Sequence, residues 1–133
     1  MSEFGKLSLS MQEYMEAILE LSEESDTVRV TDIANKLNIA KSSVNQSISK
    51  LKDLGLVQQQ TYGPVELTEE GRQLAGKLMQ RHKKLKQFLV EALGVGEETA
   101  EKDACLMEHV VSAETMEKLT EFLCKSGYIK LDD

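Results

Sequence analysis

The sequence contains no tryptophan, only three tyrosines and three phenylalanines, and two cysteines in 133 residues. So few aromatic rings argue against a stacking surface for RNA or single-stranded DNA. Two cysteines do not make a disulfide framework, which favours a reducing compartment. No apolar run approaches the roughly 18 residues of a membrane-spanning helix, and the first residues do not resemble a secretory signal. We therefore expect a cytoplasmic protein with no membrane partner.

Positive charge is scarce over the whole chain, whose net charge is −7, but it is concentrated in the middle. Residues 1–26 and 87–133 have net charges of −6 and −7, whereas residues 27–65 and 66–86 each carry +3. No acidic residue lies between Asp32 and Asp53. DNA binding requires a local basic surface, so the acidic total does not exclude it.

The spacing of apolar residues predicts a mainly α protein, because they recur at intervals of three and four and Pro64 is the only proline. Short strands are predicted at 28–30, from residue 56 and at 65–67, with a turn at 62–64 between the last two. The predicted helices are 10–24, 32–37, 41–54, 69–93, 97–111 and 113–125. The residues predicted to cap helix N-termini are Ser10, Thr31, Thr68 and Ser112.

A helix, a short helix, a tight turn, a longer helix and a β-hairpin, in that order, predict a winged helix-turn-helix whose longer helix enters the major groove. Asn and Gln side chains on that helix suit adenine, and Ser and Lys suit phosphates or guanine. The plain alternative is a solvated polar helix face, and residues 58–62 of the hairpin contain no Arg or Lys. The candidate DNA-binding residues are Lys41, Ser42, Ser43, Asn45, Gln46, Ser49 and Lys50.

A second group of polar residues has the chemistry of metal ligands. Cys105, Glu108 and His109 lie at i, i+3 and i+4, so they project from one helix face, and such a mixture binds transition metals. Each also has a plainer interpretation: Cys105 as a small buried residue, His109 as a core histidine, and Glu13 as a helix-capping acid. The six candidate metal ligands on three helices are Glu13, Glu16, His82, Cys105, Glu108 and His109.

Six segments of the sequence resemble the diphtheria toxin repressor family of iron- and manganese-dependent regulators, and most of all its short members. The Glu108-His109 pair, followed by two valines and Ser112, is the most specific match. The matching segments are 14–18, 30–34, 42–44, 67–72, 81–83 and 105–112.

The resemblance implies a homodimer that binds double-stranded operator DNA and represses genes for metal uptake. It implies a winged helix-turn-helix domain over residues 1–70 and a helical metal-binding and dimerisation domain over residues 71–133. Metal between the two would be held by the six candidate ligands named above. Lys86 departs from the pattern, since relatives tend to carry an acid one turn beyond the histidine, and this argues against a second metal ion.

Cys105 occupies a position where the iron-type members have cysteine and the manganese-type members have glutamate. A thiolate favours Fe(II) over Mn(II), so we expect Fe(II) first and Mn(II) next, with Co(II), Ni(II) and Zn(II) binding in vitro. One alternative is a winged-helix regulator that senses oxidation or an organic ligand through Cys105. A metalloenzyme is not expected. A catalytic metal keeps an open position, whereas here four or more protein ligands are available and no catalytic base is left over. A bare dimeric interaction module would leave the acid-free helix face unexplained.

Overall fold

The structure, a computed structural model, describes residues 7–61 and 63–128. It is mainly α, as predicted, with one small antiparallel sheet. The described residues divide into two compact units, 7–77 and 78–128. A π-helical segment, Phe88–Ala92, follows the fourth helix. The elements are α1 (Leu9–Glu24), α2 (Val30–Leu37), α3 (Lys41–Asp53), β1 (Val57–Gln59), β2 (Val65–Leu67), α4 (Glu69–Gln87), α5 (Glu97–Met107) and α6 (Ala113–Lys125).

The unit formed by residues 7–77 has the element order of a winged helix-turn-helix. Its core is made by the apolar faces of the helices together with the hairpin, in which Val57 pairs with Leu67 and Gln59 with Val65. Burying this many large side chains is what holds the short helices in place, since isolated helices of this length are marginal in water. The fully buried side chains of this core include Met15, Ile18, Ile33, Val44, Ile48 and Leu51.

Three sequence predictions for this unit are wrong in detail. Ser8, not Ser10, caps α1, because its hydroxyl oxygen accepts from the backbone N–H of Met11 at 3.1 Å. Residues 28–30 are not a strand: Val30 begins α2. Thr31 is not the cap of α2 either. The N-cap is Arg29, which donates its backbone N–H to Asp32 Oδ2 at 3.0 Å.

The junction between α3, the hairpin and α4 follows the prediction. Gly55 has φ +76°, the left-handed conformation that ends many helices. Thr68 caps α4 by accepting from the N–H of Gly71, while its own hydroxyl donates to the carbonyl oxygen of Gly55 at 2.7 Å. A Cβ on Gly71 would lie 2.1 Å from the carbonyl oxygen of Leu56, so this close approach requires glycine. Tyr62, in the predicted turn, lies outside the described residues.

The unit formed by residues 78–128 consists of helices joined by short turns. Ser112 caps α6 as predicted, accepting from the N–H of Thr115 at 3.1 Å. The fourth helix changes to π-helical geometry after Gln87 instead of continuing to residue 93, and α5 ends at Met107 instead of 111. A small core of Leu85, Ala104 and Met116 joins these helices.

Candidate metal centre and DNA-binding surface

Four side chains with metal-binding chemistry converge in the unit formed by residues 78–128. His82 projects from α4, Glu101 and Cys105 project from α5, and Glu108 follows directly as the C-cap of α5. Spacings of four and three place the three α5 positions on one helix face. Ligand atoms of His82, Cys105 and Glu108 all lie within 4.8 Å of one another.

His82 lies between two carboxylates. Its Nδ1 is 3.3 Å from Glu108 Oε1 and its Nε2 is 2.7 Å from Glu101 Oε2. The Cys105 thiol donates to the same Glu101 oxygen at 3.6 Å. The hydrogen bond from Glu108 raises the pKa of His82 to about 9, against the lowering by burial, and Glu101 adds to the rise. The metal-free cluster therefore holds an imidazolium at neutral pH.

Glu101 also contacts Lys86, whose Nζ lies 3.1 Å from Glu101 Oε1. Burial raises the pKa of Glu101, but the hydrogen bonds from Lys86 and His82 outweigh it, so the pKa lies below its usual value. Glu101 is thus a carboxylate with a cationic partner on each of its two oxygens.

Glu108 is the most buried acid of the cluster. Its side chain is 2% exposed, and its Oε2 atom is buried with no hydrogen-bond partner in the part of the chain that the structure describes. A buried carboxylate oxygen without a partner is costly, because it has lost its hydration and gained nothing in return. A divalent cation beside His82 and Cys105 would supply the missing interaction, so these residues fit a bound transition metal.

The other predicted ligands are placed as follows. His109 is buried, and its Nε2 lies 3.9 Å from Glu108 Oε1. Glu13 and Glu16 belong to α1, in the unit formed by residues 7–77; Glu13 is exposed and Glu16 is half-buried. Cys105 is exposed, so it is not a small core residue. Glu13 is not a capping acid, since Ser8 caps α1 through Met11.

Sequence reasoning missed two neighbours of the cluster. Glu101 lies one turn before Cys105 and two turns before Glu108, and this spacing alone could have placed it on the ligand face. Arg81 is 4% exposed and donates from Nη1 to the carbonyl oxygens of Glu108 and Val111. No local pattern signals this contact, because the two partners are 27 and 30 residues away.

The candidate DNA-binding face of α3 is exposed along its whole length, while Val44, Ile48 and Leu51 on the opposite face are buried. The first turn of α3 contains no acid, and its last turn carries Lys50 and Lys52. The side chains that this exposed face presents are those of Lys41, Ser42, Ser43, Asn45, Gln46, Ser49 and Lys50. Their contact with DNA stays a prediction.

Comparison with known proteins places both units in one family. Residues 6–65 match the family described as iron dependent repressor, N-terminal DNA binding domain. Residues 68–126 match iron dependent repressor, metal binding and dimerisation domain. The chain belongs to the iron-dependent repressor family. The resemblance to diphtheria toxin repressors is thereby confirmed.

Individual members of the iron-dependent repressor family match most of the chain. An uncharacterized HTH-type transcriptional regulator of Methanocaldococcus jannaschii is 40% identical over 120 residues, which cover 90% of this chain and 96% of that protein. The transcriptional regulator MntR of Escherichia coli is 35% identical over 88% of this chain and 75% of its own length. A solved manganese-dependent transcriptional repressor in complex with manganese is 31% identical, with a TM-score of 0.78. That alignment covers 90% of this chain and 54% of the solved one, so the chain spans about half of its length.

Membership of the iron-dependent repressor family makes the chain a metal-dependent transcriptional regulator and not an enzyme. The alternative of oxidation sensing through Cys105 is not favoured, because the region that carries Cys105 matches a metal-binding domain. Within the described ranges 7–61 and 63–128, no helix is both long and apolar enough to cross a bilayer.

Proposed function

We propose that the chain is a metal-activated repressor in which a divalent transition-metal ion is held by His82, Cys105 and Glu108. The observation that carries this proposal is the buried Oε2 of Glu108, which has no partner in the described part of the chain and lies in a cluster with an imidazole and a thiol. Three donors of these types make a site that a transition metal binds more tightly than Ca²⁺ or Mg²⁺. The bound ion would replace the hydration that the Glu108 carboxylate loses on burial.

The proposed ligand set also includes Glu13, Glu16 and His109. Glu13 and Glu16 are three residues apart on α1, and the family resemblance of the sequence supports all three. An ion that shares ligands between residues 1–70 and residues 71–133 would hold the DNA-binding domain to the dimerisation domain. The coupling between metal and DNA binding is then reciprocal and typically about 1–3 kcal/mol.

The proposed DNA-binding unit is a homodimer, which presents one α3 per subunit to the major groove. Half-sites about one helical turn apart, roughly 34–36 Å, require a fixed distance between the two helices, and the bound metal would fix it. We propose genes for metal uptake as targets and the cytoplasm as location. Among metals we favour Fe(II), then Mn(II), because Cys105 supplies a soft ligand.

The test is a selection of binding sites from a pool of random DNA duplexes. The purified chain would be incubated with Fe(II) under anaerobic reducing conditions, with Mn(II), or with EDTA, and the bound duplexes sequenced. We expect one palindromic sequence to be enriched with metal and none with EDTA. Equal enrichment in EDTA would reject metal activation.

Two isosteric variants distinguish the metal site from general charge effects. Glu108→Gln removes the buried carboxylate, so we expect no metal-dependent enrichment and weaker metal binding. Glu114→Gln removes an exposed acid from the first turn of α6 and should behave like the parent. If both variants respond to metal as the parent does, the cluster around Glu108 is not the activating site.

A further inference from the structure

Glu101 contacts one ring nitrogen of His82, and Glu108 contacts the other. Glu101 Oε2 lies 2.7 Å from His82 Nε2, whereas His82 Nδ1 lies 3.3 Å from Glu108 Oε1. The two imidazole nitrogens therefore have different partners. Nδ1 lies beside the buried carboxylate of Glu108, whose Oε2 has no hydrogen-bond partner among the described residues, and Nε2 lies beside the half-exposed carboxylate of Glu101.

Lys86 fixes Glu101 from its other oxygen. The ammonium lies 3.1 Å from Oε1, and Lys86 precedes the π-helical segment by only two residues on α4, the helix that also carries His82. A carboxylate that already contacts an ammonium is a poorer ligand for a second cation, because part of its charge is neutralised. It remains a good hydrogen-bond acceptor, however, and its orientation is set by the ion pair.

We infer that Glu101 is a positioning residue, which holds the Nε2–H of His82 and so presents Nδ1 to the metal beside Glu108 and Cys105. Metal-binding histidines commonly donate the other ring N–H to a carboxylate, which fixes the tautomer and the ring orientation. Lys86 completes this arrangement by keeping Glu101 in place and outside the ligand set. The inference rests on the proposed function, since it takes His82 as a ligand.

The direct test is the tautomer of His82 in the metal-loaded protein. The chain has only two histidines, so ¹⁵N-labelled protein gives few imidazole signals, and His82→Gln assigns them. With Zn(II), which is diamagnetic, we expect Nε2 of His82 to be protonated and Nδ1 to be bound. A Zn(II) complex in which Nε2 is the bound nitrogen would overturn the inference.

Metal affinity gives a second measurement with matched variants. Loss of a carboxylate that orients a metal-bound histidine typically costs 10- to 100-fold in affinity. We therefore expect Glu101→Ala to raise the Zn(II) dissociation constant by that factor. Glu101→Gln keeps an oxygen acceptor, so it should retain the tautomer and most of the affinity. Glu98→Ala, an exposed position on the same helix, should bind Zn(II) like the parent.

The outcomes separate the inference from the proposed function. If His82→Gln binds Zn(II) as tightly as the parent, His82 is not a ligand and the proposed site fails. If His82→Gln weakens binding but Glu101→Ala does not, only the positioning role fails. If Glu101→Gln loses as much affinity as Glu101→Ala, the charge of Glu101 matters and not its hydrogen bond, and the inference is again overturned. Thermal unfolding of each metal-free variant shows whether it is folded.

Discussion

The guanidinium of Arg81 donates from Nη1 to the backbone carbonyl oxygen of Glu108 at 3.1 Å, and both residues are almost fully buried. In a continuing helix that carbonyl would accept from a backbone N–H four residues on; here Arg81 takes the place of that N–H, and α5 ends. A second bond from the same nitrogen to the carbonyl of Val111 holds the following turn. The backbone that carries Glu108 and His109 is therefore fixed by a residue next to His82.

Replacing Arg81 should destabilise the helical unit. Arg81→Met retains apolar bulk but leaves two carbonyl oxygens without their donor, so we expect a loss of about 2–4 kcal/mol in the free energy of unfolding. Urea unfolding in EDTA measures it. Arg72→Met, at an exposed position of the same helix, is the control and should change stability little. Equal midpoints for the two variants would contradict the structural role of Arg81.

The metal-free protein should lose stability in mild alkali. The pKa of His82 is about 9 in the folded protein against 6.5 for an ordinary histidine, so the folded state binds the proton more tightly. The resulting stabilisation is fully present below pH 6.5 and is lost as the pH rises through 9. Urea unfolding in EDTA between pH 6 and 10 should show this decline in the parent. In His82→Gln the decline between pH 7 and 9 should be absent; an identical decline would assign it to other groups.

Cys105 should determine which metal is preferred. A cobalt complex of the parent should show a thiolate-to-metal charge-transfer band in the near ultraviolet, and Cys105→Ser should abolish it. Cys105→Glu should shift preference from Fe(II) toward Mn(II), because it replaces the one soft ligand by a hard one. Cys124→Ser, half-buried on α6, should keep the band. A parent spectrum without the band would remove the basis for favouring iron.

The exposed face of α3 should carry sequence recognition. Combining Asn45→Ala with Gln46→Ala should cost about 1–3 kcal/mol for each bidentate base contact that is lost, while unrelated DNA is bound as before. Lys50→Ala should instead weaken binding to all sequences. The slope of log affinity against log salt concentration should fall in magnitude by about one. Lys125→Ala, exposed on α6, is the matched control. Unchanged operator affinity in the double variant would exclude α3 from the groove.

The chain should be a dimer with or without metal. Leu106 is 70% exposed and Val110 is 67% exposed, which is unusual for large apolar side chains so close together. Val110→Glu should raise the dimer dissociation constant at least about tenfold, since a charge would be buried in an apolar contact. Sedimentation at micromolar concentration measures this. Leu54→Glu, exposed in the other unit, should leave the dimer intact. A monomeric parent would reject the prediction.

Much of the fold could be predicted from the sequence because its signals are local. The glycine after α3 and the capping residues Thr68 and Ser112 act within a few residues, and the structure places them as expected. The caps predicted at Ser10 and Thr31 are wrong, because several polar residues lie near each helix start and their spacing alone does not choose between them. The strand predicted at 28–30 is also wrong. Val28 does bond to the sheet, since its carbonyl oxygen accepts from Val65 N–H at 2.7 Å, but the chain then turns directly into α2.

The candidate site was predictable where its residues share a helix. The spacing of Cys105 and Glu108 shows their common face, and the structure brings His82 to them. The apolar residues that follow α5 differ in their surroundings, since Met116 and Leu123 are buried within their own unit while Val110 and Phe122 are exposed. Periodicity identifies an apolar face but does not say which neighbour covers it. The contact of Arg81 with Glu108 joins distant parts of the chain, and no spacing rule could reveal it.

The buried Oε2 of Glu108, which has no hydrogen-bond partner within residues 7–61 and 63–128, bears on how much of the protein a cell contains. An unsatisfied buried polar atom costs about 1–3 kcal/mol, and a metal bound at the proposed site would remove this cost and add its own binding energy to the folded state. Cellular proteases degrade the unfolded fraction, and a change of this size alters protein abundance several-fold. Chains made during metal starvation would therefore be degraded faster than metal-loaded ones. The lifetime of the protein, as well as its affinity for DNA, would then depend on metal binding at Glu108.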